Sequence, residues 1–209
     1  KAVVRMYTTT GIRLRRELVN MKKGAVIHHV GYSCIKISES DQNAQAQKIF
    51  KEKYTYHYII TRLGTILQGH KPNEIIGHAY NQKLPGDGDI INREYIGICL
   101  MGDFTKESWT IPQLFGISYI IQKLRQKREL GTDILLHKEI SYTDCPGSLS
   151  KEIAISFLKA EYREISVVKN SDCVQQGGSV FIKSRIPERL GLVSSTLWDA
   201  SEKKIIFFR

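Results

Sequence analysis

The chain lacks several features that would identify a common class of protein. No run of about 18 apolar residues occurs, so no membrane-spanning helix is expected. The four cysteines are irregularly spaced and contain no C-x-x-C pair, which argues against a disulfide framework in a chain of 209 residues. No histidine is followed by glutamate in the H-E-x-x-H pattern, so the usual general base of zinc proteases is missing. The sequence also shows no internal repeat.

What is present is a globular composition with a strong excess of positive charge. Hydrophobic residues make up 42% of the chain, enough to build a core, and the formal net charge is +10. Such a charge suits a polyanionic partner, whether nucleic acid, an anionic membrane surface or a bacterial wall, although it also serves simple solubility. The basic residues are dispersed and do not alternate with aromatic residues, so no nucleic-acid partner is predicted.

Strand patterns and helix patterns alternate along most of the chain. The predicted strands are 25–30, 56–62, 65–68, 95–100 and 133–136, and the predicted helices are 42–53, 110–131 and one that starts near Ser148 or Ser150. One connection, at Leu63-Gly64, is a hairpin turn. The pattern therefore predicts an α/β fold with a mixed central β-sheet flanked by helices on both faces.

Three regions are distinguished by these patterns. The main domain is predicted to span residues 25–163, and its glycine- and proline-rich residues 69–93 are expected to form a long irregular binding loop. Residues 1–24 form an N-terminal extension, in which spaced apolar residues suggest a short basic helix that ends at Gly24. Residues 164–209 form a C-terminal β-rich extension with two or three short strands.

A histidine and a cysteine lie eight residues apart in the second half of the chain. The apolar strand 133–136 delivers His137, a short polar loop follows, and Cys145 directly precedes Pro146-Gly147. The strand end fixes the imidazole, and the loop carries the thiolate back towards it. Because zinc binds both groups readily in tetrahedral sites, the pair is predicted to share one metal ion.

A third ligand is expected from two adjacent histidines in strand 25–30. Side chains alternate along a strand, so His28 and His29 point to opposite faces and only one of them can reach a given site. The default role of a histidine in an apolar strand is a hydrogen-bonded core residue. On a central strand, however, His28 could reach His137, and Cys145 would complete the set. Three protein ligands plus water form a catalytic zinc site, which we expect at one edge of the sheet.

A wider set of short motifs occurs in a fixed order over about residues 25–160. The motifs are, in order, Val26-Ile27-His28-His29, Tyr56-His57-Tyr58-Ile59-Ile60, Gly64-Thr65-Ile66, Gly77-His78-Ala79, Asn92 followed by Tyr95-Ile96-Gly97-Ile98, and His137 to Cys145-Pro146-Gly147. This ordered set resembles the type 2 N-acetylmuramoyl-L-alanine amidases. That family includes phage lysis amidases and is related to the animal peptidoglycan recognition proteins.

The resemblance implies roles for individual residues of the predicted zinc amidase domain. The zinc (Zn2+) ligands of the family fall on His28, His137 and Cys145, and the catalytic tyrosine falls on Tyr56. Two residues before the cysteine, many phage members carry a lysine that helps catalysis, whereas amidases among the recognition proteins carry a threonine. This chain has Thr143, whose hydroxyl could hydrogen-bond a developing oxyanion or a zinc-bound water.

Further residues are expected to contact substrate, which the resemblance identifies as peptidoglycan or muropeptides. His78 and His70, in the long loop, could line a glycopeptide groove, and so could Asn92. For His70 a solvated loop position is the simpler reading, and for Asn92 it is a structural role that holds the loop before the next strand. The implied reaction is hydrolysis of the amide between N-acetylmuramic acid and L-alanine. The resemblance also implies a monomer that is secreted, in the cell envelope, or phage-encoded and acting on the wall.

Two other functions fit part of the pattern. A binding protein of the same fold could recognise peptidoglycan without cutting it, but such members often lose the cysteine ligand, and Cys145 is present. A zinc deaminase needs H-x-E and P-C-x-x-C. The segment His137-Lys138-Glu139 fits the first half, but no second cysteine follows Cys145, so deamination is not expected.

Overall fold

The computed structural model describes residues 21–53, 55–159, 162–166, 173–176, 179–182, 195–199 and 204–208. Most of the basic helix predicted within residues 1–24 lies outside these ranges. Residues 22–24, which were expected to end that helix, instead begin the first strand. Among the described residues, no helix combines the length and apolarity needed to cross a bilayer.

Strands and helices alternate over the first three quarters of the chain, and the elements described after residue 159 are strands. The elements are β1 Lys22–His29, α1 Glu39–Lys53, β2 Tyr58–Ile60, β3 Ile66–Gln68, α2 Ile90–Glu94, β4 Tyr95–Leu100, α3 Ile111–Gln126, β5 Leu130–Leu136, α4 His137–Ile140, α5 Lys151–Ser156, a 3₁₀ turn Phe157–Lys159, β6 Tyr162–Ser166, β7 Cys173–Gln176, β8 Ser179–Ile182, β9 Ser195–Asp199 and β10 Lys204–Phe208. The described part of the C-terminal extension thus holds five strands, more than the two or three expected.

The central sheet is mixed, as predicted. Its strand order is β5-β1-β4-β2-β3, continued by β9-β10-β6, while β7 and β8 pair separately. β1 runs parallel to both β4 and β5, β2 runs parallel to β4, and β3 returns antiparallel to β2. Because β1 and β5 are parallel neighbours, their carboxyl ends lie side by side, and each of these ends carries a histidine.

Alternation along the strands separates two buried faces, and helices cover both. On the first face, Ile27 of β1 and Ile98 of β4 belong to a cluster with the inner side of α3. On the second face, Cys99 of β4 packs with α1, and Val26 of β1 packs with α2 and the end of α4. His28 follows the direction of Val26, so its ring emerges on the second face, near the carboxyl edge of the sheet.

The end of α3 differs from the prediction. The helix starts at a capping box, in which the Thr110 hydroxyl accepts from the Gln113 backbone N–H and the Gln113 side chain accepts from that of Thr110. Gly131 was expected to end it, but Arg128 takes the left-handed conformation, with φ 57°, and Gly131 lies within β5. A Cβ on Gly131 would meet the Lys23 carbonyl oxygen at 2.4 Å, so this glycine allows close strand pairing instead.

The long loop of residues 69–93 is anchored to the sheet and contains one short helix, α2. Lys22, a buried residue at the start of β1, donates from Nζ to the carbonyl oxygens of Glu74 at 3.2 Å and Arg93 at 2.7 Å. Burial lowers the pKa of this amine. Because both ends of the loop are tied to one strand, the segment between them is held over the second face, where it meets His28.

Candidate metal centre

Three side chains from separate parts of the chain converge at the carboxyl edge of the sheet. His28 lies near the end of β1, His137 directly follows β5, and Cys145 lies in the loop after α4. One ligand atom from each lies within 4.8 Å of the other two. Ligands of a tetrahedral zinc ion are about 3.3–3.7 Å apart, given bond lengths of about 2.0–2.3 Å. The trio is therefore within about an ångström of a coordinating arrangement.

His28 presents a nitrogen that is suited to a metal. Its Nε2 lies 3.2 Å from Nδ1 of His78, whereas its own Nδ1 is buried and has no hydrogen-bond partner among the described residues. Burial, followed by the proximity of His78, holds the pKa of His28 well below its usual value. The ring is therefore neutral at pH 7, and a buried ring nitrogen without a hydrogen-bond partner is an unfavourable arrangement that a bound cation would relieve.

His137 completes the imidazole pair. The expected polar loop after this residue is instead a single turn of helix, α4, and His137 is its first residue. Its ring centroid lies 4.5 Å from that of His28, at an interplanar angle of 55°. Burial lowers the pKa of His137 as well, so this ring is also neutral at pH 7 and able to donate a lone pair.

Backbone hydrogen bonds fix the position of Cys145. Its carbonyl oxygen accepts from the Lys138 N–H at 2.7 Å, its own N–H donates to the Thr143 hydroxyl at 3.2 Å, and its Sγ accepts from the His29 N–H at 3.2 Å. Burial raises the pKa of the thiol to about 12. Without a cation the sulfur is therefore protonated at pH 7, and a metal ion that binds it must displace this proton.

His29, the second histidine of the pair, lies on the opposite face of the strand. Its Nδ1 accepts from the Phe104 backbone N–H at 3.0 Å, and its ring lies 5.7 Å from that of Phe104. The nearby Asp103 carboxylate lies 4.0 Å from the same nitrogen. These contacts tie β1 to the segment that follows β4.

Tyr56 and Thr143 both lie beside the ligand trio. The Tyr56 ring centroid is 5.2 Å from that of His28. The neighbouring Cys99 thiol, together with burial, raises the pKa of the phenol above its usual range, so the hydroxyl keeps its proton and can donate a hydrogen bond, in this structure to Cys99. Thr143 accepts from the Cys145 N–H, and this contact links its hydroxyl to Cys145. The catalytic roles of both residues stay predictions.

The three residues expected in a substrate groove are buried in this structure. Asn92 Oδ1 accepts from the backbone N–H groups of His78 and Ala79, each at 2.9 Å, which agrees with the structural alternative for this residue. His70 Nδ1 lies 3.1 Å from a carboxylate oxygen of Glu74. Both ring nitrogens of His78 face internal partners, His28 and the Tyr95 carbonyl oxygen. Contact with substrate stays a prediction for all three.

Two residues near the site were part of the sequence motifs but were given no role of their own. His57 accepts from the Gly97 N–H at 2.9 Å through Nδ1, and its Nε2 lies 3.2 Å from the Glu74 carbonyl oxygen. Gly97 lies in the middle of β4, and a Cβ there would meet the His78 ring at 2.8 Å. A glycine within an apolar strand signals a close approach of another group, and this signal was available in the sequence.

Glu139 does not face the trio as a deaminase glutamate would. One of its carboxylate oxygens accepts from the Leu136 N–H at 2.6 Å and so caps the first turn of α4. The other lies 3.8 Å from Lys151 Nζ. This glutamate therefore has a structural role at the strand–helix junction, and the H-x-E spacing does not indicate deaminase chemistry.

The fold and the site together define a class of protein: a mixed α/β sheet with a His-His-Cys group, able to hold a metal ion, at the carboxyl edge of its central strands. The family model described as N-acetylmuramoyl-L-alanine amidase (Amidase_2) matches residues 20–148, which is more than half of the chain. The chain therefore belongs to this amidase family, as the resemblance of its motifs implied. No curated protein matches the chain at a significant level.

Solved structures similar to this chain include an N-acetylmuramoyl-L-alanine amidase and two peptidoglycan recognition proteins (PGRPs). The N-acetylmuramoyl-L-alanine amidase LysC from Clostridium intestinale is 26% identical, with 66% of this chain and 86% of that chain covered and a TM-score of 0.47. Bumblebee PGRP-SA is 22% identical, with 63% and 80% covered and a TM-score of 0.54. A mutant of Drosophila PGRP-LB in complex with tracheal cytotoxin is 22% identical, with 62% and 77% covered and a TM-score of 0.51. The two recognition proteins share the fold.

Proposed function

We propose that the chain is a zinc-dependent amidase that hydrolyses the bond between N-acetylmuramic acid and L-alanine in peptidoglycan. The observation that carries this proposal is the convergence of His28, His137 and Cys145, whose ligand atoms lie within 4.8 Å of one another. Membership of the amidase family supports the same reaction. A neutral imidazole pair and one thiol form a donor set that zinc prefers, and three protein ligands leave a fourth position for water or substrate.

The residues of the chain have separate tasks in this reaction. When bound, zinc supplies an acidified water and a Lewis acid that polarises the amide carbonyl. His28 and His137 provide neutral nitrogens, and the pairing of Ile27 with Leu136 holds the backbone positions of the two histidines close together. Cys145 provides the third donor, and its protein contacts exclude most water from the sulfur side of the site.

Tyr56 is suited to stabilise the charge that develops on the carbonyl oxygen during attack. Its raised pKa keeps the phenol protonated through the neutral range, so it acts as a hydrogen-bond donor and not as a base. A donor aimed at a developing oxyanion contributes about 3 kcal/mol of transition-state stabilisation. Thr143 offers a second hydroxyl beside Cys145, where phage relatives use a lysine, and its contact with the Cys145 N–H keeps it in place.

The net charge of +10 is consistent with a wall substrate that carries carboxylates and phosphates. We further propose that residues 25–163 form the zinc amidase domain and residues 164–209 a β-rich extension. We also propose that the protein acts on the wall as a monomer, in the envelope, secreted or encoded by a phage. Zinc held by His28, His137 and Cys145 would leave room for a substrate oxygen, and the positive net charge would favour binding of peptidoglycan or muropeptides.

Digestion of cell walls tests the proposed reaction. Purified protein loaded with zinc should release peptides with a free L-alanine amino terminus from intact sacculi and from muropeptides, detected by mass spectrometry. A chelator should stop the release, and added zinc should restore it. Protein that binds zinc and sacculi but leaves the amide intact would favour the binding-protein alternative, while cleavage at a different bond would contradict the proposed substrate bond.

Replacing Tyr56 by Phe is expected to lower turnover about 100-fold while zinc stays bound, because one oxyanion donor is lost and no metal ligand changes. Turnover on soluble muropeptides and the zinc content of the purified protein measure the two effects. Tyr80→Phe is the matched control, because the Tyr80 side chain is exposed and packs against Gly88. Loss of zinc from the Tyr56 variant would assign that residue a structural role instead.

A further inference from the structure

We infer that His78 is a positioning residue that fixes the tautomer of His28, with the proton on Nε2, through a hydrogen-bonded chain of two imidazoles that ends on the Tyr95 carbonyl oxygen. This inference builds on the proposed zinc site but does not depend on which bond the protein cuts. His78 Nε2 lies 3.1 Å from the Tyr95 carbonyl oxygen, and His78 Nδ1 lies 3.2 Å from His28 Nε2. The two rings meet edge to face, at an interplanar angle of 86°.

The carbonyl fixes the direction of every hydrogen bond in this chain. A carbonyl oxygen only accepts, so Nε2 of His78 carries the proton and donates it. A neutral ring holds one such proton, so Nδ1 of His78 is an acceptor, and Nε2 of His28 must be the donor to it. The remaining nitrogen, Nδ1 of His28, is then left with a bare lone pair. This is the buried nitrogen that lacks a partner among the described residues.

The surrounding backbone is built to hold the His78 ring in place. Asn92 Oδ1 accepts from the N–H groups of His78 and Ala79, which fixes the loop on one side of the ring. On the other side the ring lies directly on Gly97, where a Cβ would come within 2.8 Å of Cγ, 2.9 Å of Cβ and 3.1 Å of Nδ1 of His78. Only glycine leaves room for the ring against β4, so Gly97 is part of the same arrangement.

A role in fixing the tautomer of His28 differs from direct contact with substrate, and it gives a physical reason why His78 of the long loop is buried. A ligating histidine commonly donates its second N–H to a partner that fixes its tautomer, and loss of such a partner lowers metal affinity about 10–100-fold. In this chain the partner is a second histidine, which is itself directed by a main-chain carbonyl.

The test measures protonation and zinc affinity, with no substrate present. In the zinc-free wild type, nitrogen-15 NMR should show the proton on Nε2 of both His28 and His78. His78→Leu should lower zinc affinity about 10–100-fold in competition with a chromophoric chelator. His78→Asn, which retains an oxygen near the position of Nδ1, should recover part of that loss. A proton on Nδ1 of His28 in the wild type would overturn the inference, whether or not the variants fold.

Gly97→Ala is the sharpest variant, because it changes no polar side chain. It should displace the His78 ring and lower zinc affinity about 10-fold or more. Gly77→Ala, next to His78, is the matched control, since a Cβ there meets nothing within 4 Å, and its affinity should stay within about twofold of wild type. Wild-type affinity in a folded Gly97→Ala or His78→Leu protein would overturn the role of His78. Wild-type protein that binds zinc with the expected tautomers yet spares peptidoglycan would contradict only the proposed function.

Discussion

Replacing Cys145 by Ser is expected to abolish zinc-dependent hydrolysis and to lower zinc affinity by more than about 100-fold. Loss of an outer partner alone costs about 10–100-fold, and this change removes a ligand itself. A serine hydroxyl at this position would have to lose a far less acidic proton than a thiol to bind zinc as an anion. Chelator competition and turnover on muropeptides measure the two effects.

The proton balance of zinc binding gives a second readout for the same variant. Burial raises the pKa of the Cys145 thiol to about 12, so the metal-free wild type holds this proton at pH 7 and must release it when zinc binds. Calorimetry in buffers of different ionisation enthalpy should detect about one released proton in the wild type and none from this site in Cys145→Ser.

Cys34→Ser is the matched control for this exchange of sulfur for oxygen. Cys34 is a buried free thiol in the cluster beneath α1, and its Sγ contacts the Tyr32 carbonyl oxygen at 3.6 Å. The Cys34 variant should lose some stability but keep zinc affinity and turnover close to wild type. Near-normal turnover in Cys145→Ser, or equal loss of zinc in both variants, would refute the assignment of Cys145 as a ligand.

The three members of the trio could be predicted because each stands in a local pattern. His28 and His137 end apolar strand segments, and Cys145 follows at a spacing that a short loop can span. Their convergence depends on parallel pairing of β1 with β5, in which Ile27 lies opposite Leu136. One hundred residues separate these strands, so local pattern alone cannot establish that they are neighbours, and the ordered motifs of the family supplied this step.

The supporting residues were harder to predict because their contacts are not local. His78 belongs to an irregular loop, and its partners His28 and Tyr95 lie 50 and 17 residues away. Gly131 was read as a helix end because glycine is common there, but it serves strand pairing, and Arg128 adopts the left-handed conformation. A glycine pattern alone does not distinguish a helix end from a close approach of two strands, whereas three-dimensional packing does.

The second large effect is expected from Gly147→Ala, in the turn that follows Cys145. Gly147 has φ +66°, and a Cβ there would come within 2.2 Å of the Phe104 carbonyl carbon and 2.6 Å of the Thr105 nitrogen. These are backbone atoms, so the turn itself must move, and Cys145 moves with it. We expect the free energy of unfolding to fall by about 3 kcal/mol or more, from the left-handed strain and the clash together, and zinc affinity to fall as well.

Gly31→Ala separates the effect of left-handed strain from that of the steric clash, because Gly31 has φ +80° but a Cβ there meets nothing within 4 Å. It should lose only about 1–2 kcal/mol, the cost of the left-handed conformation, and keep its zinc affinity. Urea unfolding of both variants, together with chelator competition, measures the difference. If the two alanine variants lost equal stability and both kept zinc, contact between the Gly147 turn and the Phe104 backbone would not be what holds the cysteine in place. If Gly147→Ala loses zinc while Gly31→Ala retains it, the position of Cys145 depends on the contact between the Gly147 turn and the Phe104 backbone. The same segment also fixes His29, because the Phe104 N–H donates to His29 Nδ1.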